Sequence, residues 1–284
     1  MTAREPVPFT GERLHDSSDL FAVDLARHRA AYRFAEQRVG SGRVLDLGCG
    51  SGYGSHELTE EGVHAVGIDR VLPDPEHRGR GVHFLRGDLR SLALQKGAFD
   101  LLVSFQVIEH LEDARPYLHG IENMLRPGGV ALITTPNRLM SDGENPSHVR
   151  EYIAEELAAE LEPHFKHVEM LGIGAVEPVG RYYEARLESI RRITRLDPLG
   201  LRRRLPRPLV EWMCARLAIV VRKLMRSEGK LPDPTWRDFP VGPVDRSCLD
   251  LLALCTARGS TGPDLGAEGR GGRGPDASEQ AGIA

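Results

Sequence analysis

The apolar positions of this chain fall into short runs, separated by segments in which they recur at helical spacing. From Ser18 to Val39 the residues Leu20, Val23, Leu25, Ala31, Phe34 and Ala35 return at helical spacing behind a Ser17-Ser18-Asp19 cap signal, so a helix leading into a first strand is expected. That strand is Arg43-Val44-Leu45-Asp46-Leu47. Val63 to Asp69 and Val82 to Leu89 predict a second and a third strand, both closing on an acid, Asp69 and Asp88. Pro73 and Pro75 leave only a short or broken helix between them. Phe99 to Phe105 predicts a fourth strand running into a loop at Gln106 to Leu111. A helix from about Glu112 to Leu125 should stop at Arg126-Pro127-Gly128-Gly129. Val130 to Thr135, Phe165 to Leu171 and Cys248 to Thr256 predict strands five, six and seven. Strands alternating with helices imply an α/β, doubly wound, mostly parallel sheet. The right-handed connections of that fold place the strand ends, with Asp69, Asp88 and Phe105, along one rim.

The first strand passes directly into Gly48, Gly50, Gly52 and Gly54 on alternate positions before a helix-like segment. Glycine at such a turn accepts positive φ and lets backbone approach a ligand. The dinucleotide fingerprint G-x-G-x-x-G fails in every register, because its third glycine would fall on Tyr53, Ser55 or Glu57. What remains is an acid, Asp46, two residues ahead of three alternating glycines. Asp69 follows Asp46 by 23 residues, a separation at which a carboxylate at the end of a second strand accepts both hydroxyls of a ribose. A turn with no ligand and acids acting as plain helix caps are the competing readings.

Composition narrows the class. At 284 residues the chain is long enough for one large α/β domain with an insertion. A net charge of -4 and a pI near 6.3 argue against a nucleic-acid partner. Cys49, Cys214, Cys248 and Cys255 show neither C-x-x-C spacing nor a disulfide framework, which suits a reducing cytoplasm. The first residues lack the apolar core of a signal peptide, and no run approaches the ~18 apolar residues of a membrane span. A cytoplasmic protein is expected.

Read together, Asp46 to Gly52, Gly67-Ile68-Asp69, Gly87-Asp88, Phe105 to Leu111 and Leu125-Arg126-Pro127-Gly128-Gly129-Val130 resemble, in order, the motifs of class I S-adenosylmethionine (SAM) dependent methyltransferases. The likeness covers residues 10 to 172 and is of the type 11/23 kind. It is similar to the ubiquinone-biosynthesis O-methyltransferases, and closer to bacterial enzymes associated with cell-surface glycans. The latter carry Thr10-Gly11-Glu12-Arg13 and Asn145-Pro146-Ser147-His148-Val149-Arg150-Glu151 as they stand here. The resemblance implies a seven-stranded Rossmann-like sheet whose last strand inserts antiparallel between the fifth and sixth. It also implies SAM as cofactor. The turn at Asp46, Gly48, Cys49, Gly50 and Gly52 would hold the methionine part and Asp69 the ribose. Asp88 with the Leu89 amide would read the adenine, and Phe105 stands on the same rim.

The domain then runs from 18 to 256, after an N-terminal segment at 1–17, with an insertion at about 173–247 and a disordered tail from Ala257. The insertion is basic from Arg181 to Arg226, and Leu209 to Met225 is apolar around much of a helix. A solvated lid helix, a basic lid for an anionic or lipid-linked acceptor, and a membrane-surface helix all fit that pattern. Methyl transfer to a hydroxyl needs in-line alignment and removal of a proton. His148, at the start of an expected helix, and His110, in the loop after strand four, are the candidate bases, with Glu109 or Glu151 in support. No metal-ligand spacing is apparent, which disfavours a magnesium mechanism. The expectation is O-methylation of a small-molecule or glycan-type acceptor. Methylation at carbon or nitrogen and a SAM-binding module without turnover remain as alternatives.

Overall fold

Val44, Leu101 and Val103 bury against one layer of helices, while Leu45, Leu47 and Leu102, their neighbours in the chain, bury against the other. This period-two alternation is what strands covered on both faces require. The computed structural model describes residues 21–194 and 233–258, apart from 60–61, 74–77, 80, 92–93, 142–144 and 146, together with the isolated positions 209 and 216. Its strands are β1 (Gly42–Leu47), β2 (Val63–Asp69), β3 (Val82–Arg86), β4 (Phe99–Phe105), β5 (Leu125–Pro136), β6 (His167–Ile173), β7 (Val241–Pro243) and β8 (Asp250–Thr256). They form one sheet in the order β3-β2-β1-β4-β5-β8-β6-β7.

The first five strands are parallel, and β8 lies antiparallel between β5 and β6, as expected. The count differs from the expected seven: β7 is an eighth, pairing three residues antiparallel to the end of β6. It is too short, and too rich in Gly242 and Pro243, to show a period. Helices α1 (Ala22–Glu36), α2 (Tyr53–Glu57) and α5 (Val179–Thr194) cover one face, and α3 (Arg115–Met124) and α4 (Ala154–Leu161) the other.

Four local expectations are corrected. The Pro127-Gly128-Gly129 signal lies inside β5, not at a helix end; Gly128 has φ +73, and the pairing register shifts between Phe99 and Leu101. Helix α3 ends earlier, at Met124, with Pro116 in its first turn. The helix expected to start near His148 begins only at Ala154, so His148 sits in the preceding loop. Ala257, assigned to the disordered tail, is buried and its amide donates to Gly129 O at 2.8 Å.

The insertion contributes α5, a 3-10 turn at Trp236–Asp238 and β7. The N-terminal segment 1–17, the Ser17-Ser18-Asp19 cap, nearly all of the apolar stretch 209–225 and the tail from 259 lie outside the described residues. Helix α1 accordingly begins behind Phe21, which makes no side-chain cap bond. No helix among the described residues is long and apolar enough to cross a membrane.

Candidate functional site

The end of β1 and the glycine turn are held from below. Asp46 is 2% exposed and accepts hydrogen bonds from Ser55 Oγ at 2.6 Å and Tyr32 Oη at 3.1 Å, which ties α1 and α2 to the strand. Burial pushes its carboxyl up from 3.8 to about 7, although the two hydroxyls pull it down. Asp46 is not among the residues that line the cleft above; it carries the turn rather than facing into the cleft. Gly54 brings α2 against the Tyr32 ring so closely that a Cβ would stand 2.1 Å from it.

Above the turn opens a cleft of about 1300 Å³, lined at one end by Gly48, Cys49, Gly50, Asp69, Asp88 and Leu89. Gly50, at φ +56, has nothing within 4 Å of where a Cβ would be, so a side chain there would project into the open cleft. Asp69 accepts from Gly50 N and Val71 N, both at 3.0 Å, and thereby fixes the turn against the end of β2. Asp88 lies just past β3 and is paired with Arg90, whose NH2 group approaches to 2.7 Å. Hydrogen bonds from Arg90 hold the Asp88 carboxyl well below its usual range. Phe105 ends β4 with its ring 4.8 Å from that of Tyr32, edge to face, so it backs the cleft wall. His28 and Tyr53, which sequence reasoning missed, stand beside it, and the Tyr53 hydroxyl meets His28 Nδ1. Burial, with Arg27 nearby, lowers His28 to about 4, so the ring is neutral and accepts from the tyrosine.

These features fit SAM. The cofactor offers a sulfonium and an ammonium rather than a pyrophosphate, and this end of the cleft has an open glycine edge, a carboxylate at the end of β2 and a second acid beyond β3.

The other end of the cleft collects side chains from two segments. A 3-10 turn at Ile108–His110 follows β4, and its Glu109 carbonyl accepts from Val149 N at 2.8 Å and Arg150 N at 3.1 Å. These bonds lock the loop carrying His148 onto the turn carrying His110, and the two rings lie 5.1 Å apart. His110 Nδ1 is 3.1 Å from the Ser147 carbonyl. His148 Nδ1 is 2.8 Å from Glu151 Oε1, and its Nε2 is 2.8 Å from Asn145 Nδ2. Burial raises the Glu151 carboxyl, but hydrogen bonds from His148 and Ser141 outweigh it and the net shift is downward. Glu109 is wholly buried; that burial lifts its carboxyl from 4.5 to about 8 even with His148 near. Its Oε2 accepts from Thr135 Oγ1 at 3.2 Å, while Oε1 has no hydrogen-bond partner. A group of potential metal ligands, for which no spacing is apparent in the sequence, comes together here. Glu109, His110 and His148 each offer a ligand atom, all within 4.8 Å of one another. The sequence concealed this because the third member comes from a loop closed by backbone bonds, not from a local spacing.

Arg27 from α1 and Arg186 from α5 also line the cleft. Arg27 is 3.2 Å from the buried Asp250, and Arg186 is 3.1 Å from Asp24. Neither arginine nor its carboxylate was singled out in the sequence, since the partners are far apart along the chain.

Residues 22–175, more than half of the chain, match a family model described as a methyltransferase domain. A probable S-adenosylmethionine-dependent methyltransferase of Mycolicibacterium smegmatis is 36% identical over 164 residues, covering 55% of this chain and 64% of that protein. A ubiquinone biosynthesis O-methyltransferase of Cereibacter sphaeroides is 31% identical over 103 residues, covering 34% of this chain and 42% of its own. The match thus spans less than two thirds of these relatives. Among solved structures, a SAM-dependent methyltransferase of Thermotoga maritima, described as a possible histamine N-methyltransferase, superposes with a TM-score of 0.54. At 15% identity, it covers 84% of this chain and 92% of that one and shares the fold.

Proposed function

The chain belongs to the methyltransferase-domain family, and from that premise we propose that it transfers a methyl group from SAM to a hydroxyl oxygen of a small-molecule or glycan-type acceptor. The supporting observation is that one cleft carries the glycine turn with Asp69 at one end and the histidines His110 and His148 at the other. When bound, the cofactor supplies an electrophilic methyl on a sulfonium that departs as a neutral thioether. Gly48, Cys49 and Gly50 would hold its methionine part, with Gly52 closing the turn against Phe84 and Pro73, Asp69 the ribose hydroxyls, and Asp88 with the Leu89 amide the adenine. Asp46 supports the turn from beneath.

His148 is the base in this reading. Glu151 holds its Nδ1 proton and so leaves Nε2 to accept the proton of the hydroxyl, which takes the place of Asn145 Nδ2. His110 spends Nδ1 on the Ser147 carbonyl and orients the loop. Arg27 and Arg186 are balanced by Asp250 and Asp24, which favours an acceptor recognised by hydrogen bonds over one held by charge.

The test is a calorimetric titration with S-adenosylhomocysteine and, in parallel, with NAD, repeated for Asp69→Ala, followed by a screen of acceptor fractions with methyl-labelled SAM. Binding of the first ligand alone, lost in the variant, and label recovered on oxygen are expected. Binding of NAD, or of neither ligand, sinks the cofactor assignment. Label on carbon or nitrogen sinks the acceptor assignment.

A further inference from the structure

Two imidazoles and one carboxylate, converging at the acceptor end of the cleft, make a donor set that general-base chemistry does not need in full. We propose that Glu109, His110 and His148 form a binding site for a divalent first-row transition ion, zinc(II) in the first instance, with an open coordination position facing the acceptor. The ion's role rests on the methyltransferase reading of the cleft; its binding does not.

The donor chemistry selects the ion. Two His and one Glu with a free position is the ligand set of catalytic zinc sites, and nitrogen donors disfavour magnesium and calcium, which take oxygen. Ligand orientation supports the same site. Both histidines have Nδ1 engaged by an acceptor, the Ser147 carbonyl for His110 and the Glu151 carboxylate for His148, which directs each Nε2 lone pair away from those acceptors. This is how outer-shell partners orient ligating histidines. Glu109 adds an independent sign: the side chain is fully buried, lines the cleft, and leaves Oε1 without a hydrogen-bond partner. A native structure rarely leaves such an oxygen unsatisfied without a role for it. The bonds from Val149 N and Arg150 N to the Glu109 carbonyl hold the two ligand-bearing segments together. Ligand atoms within 4.8 Å of one another need movements of ~1 Å to reach the ~3.3 Å edge set by metal–ligand bonds of ~2.0–2.2 Å. The Asn145 amide, now on His148 Nε2, gives way to the ion.

With the ion bound, the acceptor hydroxyl coordinates through oxygen and its O–H proton passes to solvent. The oxygen keeps that electron pair and bonds to the methyl carbon, while the pair of the broken C–S bond stays on sulfur. The proton that His148 takes in the metal-free chain thus goes to solvent when the ion is bound, and His148 is then a ligand.

The test uses the full chain after dialysis against a chelator, with zinc(II) titrated calorimetrically into wild type, Glu109→Gln, His110→Gln and Glu151→Gln. S-adenosylhomocysteine binding to each is the control for folding and for the cofactor reading. One ion per chain is expected, with at least a tenfold loss of affinity in the two ligand variants and roughly tenfold to a hundredfold in Glu151→Gln. Absence of stoichiometric binding, or binding that Glu109→Gln and His110→Gln leave unchanged, overturns the metal site while normal S-adenosylhomocysteine binding leaves the cofactor assignment standing. Loss of S-adenosylhomocysteine binding by the wild type with zinc(II) still bound overturns the cofactor assignment and not the site.

Discussion

Tyr32 donates its hydroxyl to Asp46 Oδ2 at 3.1 Å, and the carboxylate it touches is buried with a pKa of about 7. The folded-state value lies above the ordinary 3.8, so the folded chain holds this proton more tightly than the unfolded one. The stability it contributes is fully present below about pH 4 and is lost as pH rises through 7. Asp46→Asn, which cannot ionise, is expected to be more stable relative to wild type at pH 8 than at pH 5, by about 2–3 kcal/mol. Urea unfolding of both proteins at the two pH values measures this. An equal difference at both would show that Asp46 ionises normally.

Gly54→Ala places a methyl 2.1 Å from the Tyr32 ring, in a helix already pressed against α1. The expected cost is roughly 1–3 kcal/mol from overpacking, seen as a lowered unfolding midpoint. Tyr32→Leu in the same background should recover part of it. A Gly54→Ala protein as stable as wild type would mean that α2 moves freely.

His148→Ala should lower turnover by roughly a hundredfold to ten-thousandfold, with S-adenosylhomocysteine affinity near that of wild type. The split is the informative part, because His148 lies at the far end of the cleft from the glycine turn. Unchanged turnover would remove His148 from the chemistry, whether as base or as ligand.

Asp250→Ala leaves the partly buried Arg27 guanidinium without its nearest carboxylate, and Asp24 stands 3.9 Å away. Removing one partner of such a pair is expected to cost about 3 kcal/mol. The double variant Asp250→Leu with Arg27→Met should be less costly than Asp250→Ala. Guanidinium midpoints for the three proteins decide it, and equal losses would mean that the pair contributes through packing alone.

The sequence was most informative where the signal was local. The seven main strands, the glycine turn and the acids at Asp69 and Asp88 follow from runs and spacings within about ten residues. What was not legible is whatever joins distant segments. Tyr32 and Ser55 meet on Asp46, yet nothing in the α1 pattern marks Tyr32 as more than a core aromatic. Asp46 was read as a cofactor contact from its place before the glycines, and its bonds to Tyr32 and Ser55 were not visible in that spacing. The pairing of His148 with Glu151 could be guessed from three residues' separation, but the approach of Glu109 and His110 depends on the backbone bonds from Val149 and Arg150. Pro127-Gly128-Gly129 misled because a break in strand register uses the same residues as a helix stop.

The insertion departs from the sheet at Ile173 and rejoins it at Asp250, and these two residues are partners on the β6–β8 ladder. Its two ends are therefore clamped side by side, whatever lies between. The described part of this stretch is nonetheless built into the core, where Val179, Tyr182, Tyr183 and Phe239 pack with Val23 and Tyr32 of α1. Through α5 the same stretch supplies Arg186 and Tyr183 to the cleft wall, so the strand pair at Ile173 and Asp250 also fixes where those two side chains enter it.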